Sequence, residues 1–197
     1  MKRMSKVEEN KQLKEESLYA AAYELFTTQG IHNTAINDIV KKAGVAKGTF
    51  YLYFKDKYDI LDKIVLKKSS QILSQAISET NKEQFEKFED KLLYFIDYII
   101  EYLKENKLLL KIIYKNLSWG IIKKAYKDYE EINEIFYMFE EGLKDFNYEE
   151  EEIKKLLFII LELTGSVCYS CIILNEPADI DEMKPILFSA IKKIIIR

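Results

Sequence analysis

The stretch TAINDIVKKAGVAKGTFYLYFKDKY, residues 34–58, reads as two short helices joined by a tight turn. Ile36, Ile39, Val40 and Ala43 recur at helical spacing, which gives the first segment one apolar face. Gly44 follows, and glycine takes the left-handed conformation that closes a helix without steric cost. In the second segment Phe50 and Phe54 stand four residues apart on one face, while Lys47, Gly48, Thr49, Tyr51, Leu52 and Tyr53 fill the rest of the circumference. A helix so short, with so narrow an apolar face, docks by that face and leaves the remainder free. Helix, glycine turn and outward helix make a helix-turn-helix, whose second helix enters the major groove of DNA.

Upstream, the pattern from Glu8 to Gln29 is helical, with Leu18, Ala22, Leu25 and Phe26 in one stripe and Gly30 at its end. It completes a three-helix domain. Downstream the periodicity predicts helices over 56–80, 82–106, 108–117, 126–146, 149–175 and 180–196. With only six Gly and two Pro in 197 residues there is little turn punctuation for strands, so the fold class is all-α with about nine helices. The division expected is a DNA-binding domain over 1–66 and a regulatory, ligand-binding and dimerisation domain over 67–197. Charge follows the same division. The first 68 residues carry 13 Lys and Arg against 9 Asp and Glu, a net +4, which leaves −7 for the remainder of a chain whose formal charge is −3. A basic head and an acidic body fit a protein that meets phosphate at one end only.

The run GVAKGTFYLYFKDKYDIL, preceded by TAINDIVKKA and AAYELFTTQG, closely resembles the N-terminal domain of the TetR (tetracycline-repressor) family of transcriptional regulators. The resemblance covers about residues 11–64. It implies base contacts from Lys47 and Gly48 and backbone-phosphate contacts from Thr49, Tyr51, Tyr53 and Lys57; for Tyr51 and Tyr53, packing inside the small domain is the competing role. Lysine can donate to guanine, and the missing Cβ of Gly48 permits close approach. The family often has Ser or Thr where Ala35 and Ala46 stand, ahead of the two helices, and alanine cannot accept the amide hydrogen bonds of a cap. Thr34 is then the candidate cap of the first helix, and it is counted with the DNA-contacting set.

Several chemistries are disfavoured. His32 is the only histidine, and a Ser-His-Asp arrangement, a His-rich zinc site and the Glu-x-x-His pairs of di-iron bundles all need more. The four acids Glu149–Glu152 cannot all face one point on a helix, and they suit a solvated helix N-terminus. Cys168 and Cys171 lie among apolar residues with no nearby basic side chain, conditions that keep a thiol protonated and make packing their expected role. No enzyme activity, metal or cofactor is expected. The longest apolar run, Leu156–Leu161, is far short of the ~20 residues that span a bilayer, so a cytoplasmic protein with no membrane partner is expected.

The last two helices carry more apolar surface than one small core consumes, which suggests a second copy. In the TetR family the last two helices pair with the same two of a partner subunit, and Ile159, Leu163, Val167, Cys171, Leu174, Leu187, Ile191 and Ile194 are the expected dimer contacts. Between them and the first domain lies a high density of large aromatics. Tyr94, Tyr98, Tyr102, Trp119, Tyr126, Phe136, Tyr137 and Tyr169 are the candidate lining of an effector pocket, suited to a bulky apolar or aromatic small molecule. These features point to a dimeric repressor that reads a near-palindromic duplex and is released by its effector. The other class considered is a non-catalytic helical adaptor, which has no need of a basic, outward-facing reading helix.

Overall fold

The computed structural model describes residues 5–117, 130–146 and 148–196. Trp119 and Tyr126 lie outside the described residues. Among those described there are nine α-helices and no strand. The chain divides into two compact units, Met1–Val65 and Leu66–Arg197.

The first unit holds α1 (Lys6–Thr28), α2 (Ile36–Ala43), α3 (Lys47–Tyr53) and the beginning of α4 (Lys57–Thr80). A reciprocal capping box starts α1: Ser5 N–H donates to Glu8 Oε2 at 2.8 Å, and Glu8 N–H donates to Ser5 Oγ at 3.3 Å. Among the described residues Gly30 (φ 82°) and Gly44 (φ 68°) are the glycines in the left-handed region, each beyond the end of its helix. At Gly44 the chain closes α2 with a Val45 N–H to Val40 carbonyl bond of 3.0 Å. Leu18, Ala22, Phe26, Ile39, Phe50, Phe54 and Ile60 are buried to 5% exposure or less and form the core. Tyr19 meets the Phe54 ring edge-on at 5.2 Å, so the two phenylalanines anchor α3 as their spacing implies.

Thr34 departs from expectation. Its hydroxyl donates to the Gly30 carbonyl at 2.8 Å and its side chain is 1% exposed, so it neither caps α2 nor reaches a surface. Ala35 occupies the cap position instead, and Asp38 Oδ2 accepts the Ala35 N–H at 2.9 Å. That supplies half of a capping box.

The second unit continues α4 and adds α5 (Phe88–Glu105), α6 (Lys107–Asn116), α7 (Glu130–Leu143) with a 3-10 turn at Lys144–Phe146, α8 (Glu150–Cys168) and α9 (Ile180–Ile195). α8 runs on through a wider π-helical segment, Tyr169–Leu174, which stops where Asn175 turns left-handed (φ 56°). The fifth helix starts six residues later than its expected position. Residues 82–87 are spent closing α4, through Lys82 N–H to the Glu79 carbonyl and Glu83 N–H to the Thr80 carbonyl.

Three lysines tie α9 to α5. Lys184, whose side chain is 15% exposed, bridges Asp97 at 2.7 Å and also pairs with Glu101. Lys104 meets Asp181 at 2.7 Å and Lys192 meets Asp90 at 2.8 Å. These pairs explain why so apolar a helix takes one position along its neighbour.

Two expectations about this unit change. Cys171, Leu187 and Ile191 are 3% exposed or less within the single chain, so they belong to its own core and are not dimer contacts. Leu163, Val167 and Ile194 are half-buried, and Leu174 is 53% exposed. The apolar stripe of α9 is consumed against its own chain. What remains on the surface is Ile159 on α8 and Leu174 from the expected set, with Ile186 on α9, which is not in it, at 47%, 53% and 64% exposed. The continuous helix Glu150–Leu174 is also long and apolar enough to cross a bilayer by length and composition, which a count of uninterrupted apolar residues does not register.

Candidate DNA-reading surface and effector cavity

The outward arc of α3 is built from below. Phe50 and Phe54 go into the core, which forces Lys47, Gly48, Tyr51 and Leu52 out to solvent. Nothing lies within 4 Å of the place a Cβ would occupy on Gly48, so this face presents bare backbone to an incoming surface. Tyr51 is 52% exposed, its ring edge-on to Phe50 at 5.5 Å. Thr49 is half-buried. Among the described residues Leu52 is the most exposed large apolar one, at 79%. It is absent from the contacts expected from sequence, although its place on the same arc as Tyr51 marks it.

Two expected phosphate ligands have internal duties. The Tyr53 hydroxyl donates to the Lys11 carbonyl of α1 at 3.0 Å. The Lys57 ammonium donates to the carbonyls of Ile31 (2.7 Å), Thr34 (3.1 Å) and His32 (3.4 Å). An ammonium has three donors, and here all three hold the loop ahead of α2. Lys57 therefore clasps the loop that fixes the angle between α1 and α2. Thr34 contributes its backbone carbonyl to that clasp.

In the second unit a cavity of about 190 Å³ opens between α4, α5, α6, α7 and α8. Its walls are hydrocarbon, chiefly Leu, Ile and Phe side chains such as Leu73, Ile99, Leu110 and Leu161. Of the six expected lining aromatics among the described residues, Phe136 lines it and Tyr94, Tyr98, Tyr102, Tyr137 and Tyr169 do not. On α5 the arc facing the cavity is Leu92, Phe95, Ile96, Ile99 and Leu103. Tyr94, Tyr98 and Tyr102 repeat at four-residue spacing on the neighbouring arc, where a phenol keeps its hydroxyl near water, and Tyr94 is 39% exposed. Tyr137 is 64% exposed, and Tyr169 stacks on Tyr114 with centroids 4.5 Å apart. Tyr114 lines the cavity in its place.

Four polar residues, Ser69, Tyr114, Glu162 and Thr164, interrupt this apolar wall. Ser69 Oγ on α4 and Thr164 Oγ1 on α8 are buried, line the cavity and have no hydrogen-bond partner. Neither could be singled out from sequence, because a helical Ser or Thr normally bonds the preceding turn. Cys168 also lines the wall, and burial pushes its thiol up to about 12. Burial raises Cys171 as well. Both thiols stay protonated at neutral pH and behave as small apolar groups. Among the described residues no cluster of three His, Cys, Asp or Glu side chains could hold a metal.

Comparison with known proteins matches the helix-turn-helix unit in sequence and the whole chain in fold. The sequence model of the bacterial regulatory proteins of the tetR family matches residues 18–64. An HTH-type transcriptional regulator of Staphylococcus aureus is 30% identical over 105 residues, 53% of this chain and 54% of that protein. The fatty acid metabolism regulator protein of Bacillus subtilis is 42% identical over 64 residues, 32% of each chain. The chain thus spans about half or less of these relatives' lengths. Among solved structures, the fatty acid degradation regulator FadR of Bacillus halodurans superposes with a TM-score of 0.67 at 20% identity, covering 96% of both chains. FadR of Bacillus subtilis, solved in complex with stearoyl-CoA, gives 0.66 at 20% identity, over 89% of this chain and 96% of that one. At that identity the likeness establishes the fold alone. Residues 18–64 thus resemble the bacterial regulatory proteins of the tetR family, and the chain as a whole shares the fold of the two FadR structures.

Proposed function

We propose that this protein is a homodimeric transcriptional repressor whose effector carries a long aliphatic chain. The observation that carries the reading is that α4 belongs to both units. At its start Lys57 clasps the loop ahead of α2, and from Ser69 to Leu73 the same helix walls the cavity. The helix Lys57–Thr80 runs through the division between the units, and it is the path we assign for a shift imposed by a ligand. A ligand that prefers the shifted state lowers DNA affinity by its differential affinity for the two states, and by no more.

The cavity wall favours an alkyl chain over an aromatic effector, which narrows the expectation from sequence. The acyl-CoA complex of the Bacillus subtilis structural neighbour is consistent with that chemistry. The second copy is supported by Ile159, Leu174 and Ile186, which the single chain leaves about half-exposed or more. An obligate dimer interface buries roughly 2,000 Å² or more, and apolar residues of this size at its centre suit one. The paired subunits place two α3 helices on a near-palindromic duplex in the cytoplasm, where Lys47, Gly48, Thr49 and Tyr51 are the contacts we assign.

Selection of bound sequences from a random DNA pool, repeated with stearoyl-CoA present, tests the reading. An inverted repeat enriched only without the ligand supports it. Enrichment that is the same with and without any acyl compound removes the ligand-gated mechanism.

A further inference from the structure

Among the described residues four buried side-chain oxygens lack a hydrogen-bond partner: Ser69 Oγ, Thr80 Oγ1, Asn133 Oδ1 and Thr164 Oγ1. They fall two and two. Ser69 and Thr164 line the aliphatic cavity, whereas Thr80 and Asn133 line a second hollow of about 780 Å³. Native proteins leave few buried polar atoms unpartnered, and a pair of them in one hollow calls for an occupant.

The two spaces are neighbours along the same three helices. On α4 Leu73 lines the inner one and Ile77, one turn on, the outer; on α5 the consecutive residues Leu92 and Lys91 are divided the same way. Phe88 of the outer hollow meets Phe139 of the inner cavity edge-on, with centroids 5.6 Å apart. Ser69 and Thr80 are eleven residues apart, close to three full turns, so they face the same side of α4 about 16 Å from one another. The rim of the outer hollow mixes signs, with Lys87 and Lys91 beside Glu86, Glu130, Glu134 and Glu141.

We propose that the outer hollow receives the head of an amphiphile whose hydrocarbon tail fills the inner cavity, and that this head is a neutral amide or hydroxyl group. The inference rests on the effector reading above and extends it to the head group. Asn133 Oδ1 can only accept and asks for an N–H or O–H donor, while the Thr80 hydroxyl can accept from such a group or donate to it. A carboxylate only accepts, and the mixed rim gives it no net attraction. An acyl thioester with an amide-bearing arm and a monoacylglycerol share the required chemistry.

The test uses the full chain and isothermal titration with palmitate, monopalmitoylglycerol and palmitoyl-CoA, each below its micelle concentration. At least one of the two conjugates is expected to bind about tenfold or more tightly than palmitate. Thr80→Val and Asn133→Leu are each expected to reduce that advantage about threefold to tenfold, the loss of one hydrogen bond, and to leave palmitate affinity unchanged. Thr80→Val is nearly isosteric and removes a hydroxyl that has no partner, so the free protein should melt no lower than wild type. That combination separates a ligand contact from a structural one.

If palmitate binds as tightly as both conjugates, or if the variants leave the advantage intact, the head does not occupy this hollow, and the acyl-chain reading of the inner cavity survives. If monopalmitoylglycerol alone is preferred, the source is a neutral lipid; if palmitoyl-CoA alone, it is a thioester, and either supports the inference. If none of the three binds, the effector reading falls and takes the inference with it.

Discussion

Gly48→Ala separates what α3 does for the fold from what it does for DNA. Gly48 lies in the first turn of α3, has an ordinary helical backbone, and has nothing within 4 Å of the position a methyl group would take. Replacing a helical glycine by alanine at a site free of clashes should stabilise the protein by about 0.5–1 kcal/mol, through lower backbone entropy in the unfolded chain. For a chain of this size that is a rise of roughly 1–4 °C in Tm. On the proposed reading the same methyl would stand between the helix and the base edges, and displacing one good contact costs about 1–3 kcal/mol, or fivefold to 150-fold in affinity. Differential scanning calorimetry gives the first number, and fluorescence anisotropy on the selected duplex at fixed salt gives the second. The expected signature is a more stable protein that binds DNA worse. A variant that melts higher and binds within twofold of wild type would show that Gly48 does not face the bases, and the placement of α3 in the groove would be wrong.

Lys57→Met should lower the stability of the N-terminal unit by about 2 kcal/mol, because three loop carbonyls lose a charged donor; if Tm is unchanged while the salt dependence of DNA binding drops by about one, Lys57 is a phosphate ligand and not a clasp. Ile186→Asp should give a folded monomer by sedimentation with little DNA affinity, whereas Ile191→Asp, at a site with 0% exposure, should abolish folding by circular dichroism; equal behaviour of the two would contradict the division between surface and core. Hydrogen bonds from Lys192 and Lys104 hold the Asp90 and Asp181 carboxyls below their ordinary 3.8, so their stabilisation is present above that pH and lost as pH falls through the lowered values. The urea midpoint should therefore be level from pH 7 to 5 and decline below about pH 4, and Asp90→Asn with Asp181→Asn should flatten the decline.

The head of the molecule was legible because its signals are local. Phe50 and Phe54 at four-residue spacing and a glycine at position 44 are enough to orient α3 and to turn the chain into it. Thr34 misled because a threonine beside a helix start can bond in either direction, and here it bonds back to Gly30. The body was harder to read, since periodicity reveals that a face is apolar and not which neighbour covers it. Leu187 and Ile191 have the spacing of a dimer seam and are spent inside their own chain, while Ile186, one residue away, is left outside. The tyrosines misled as well. Tyr94 and Tyr137 lie at the surface, the cavity is lined mostly by residues that look like any core, and the unpartnered hydroxyls of Ser69 and Thr164 show only when their missing partners are seen in three dimensions.

The central claim is that the aliphatic cavity and the DNA-reading helix share one equilibrium through α4. The most direct measurement is the affinity for stearoyl-CoA with and without saturating operator duplex, beside the affinity for the duplex with and without saturating stearoyl-CoA. The account predicts that each ligand weakens the other by the same factor, about fivefold to 150-fold for a coupling of 1–3 kcal/mol. If stearoyl-CoA binds equally well to free and DNA-bound protein, the cavity does not control the reading helix and the account is contradicted.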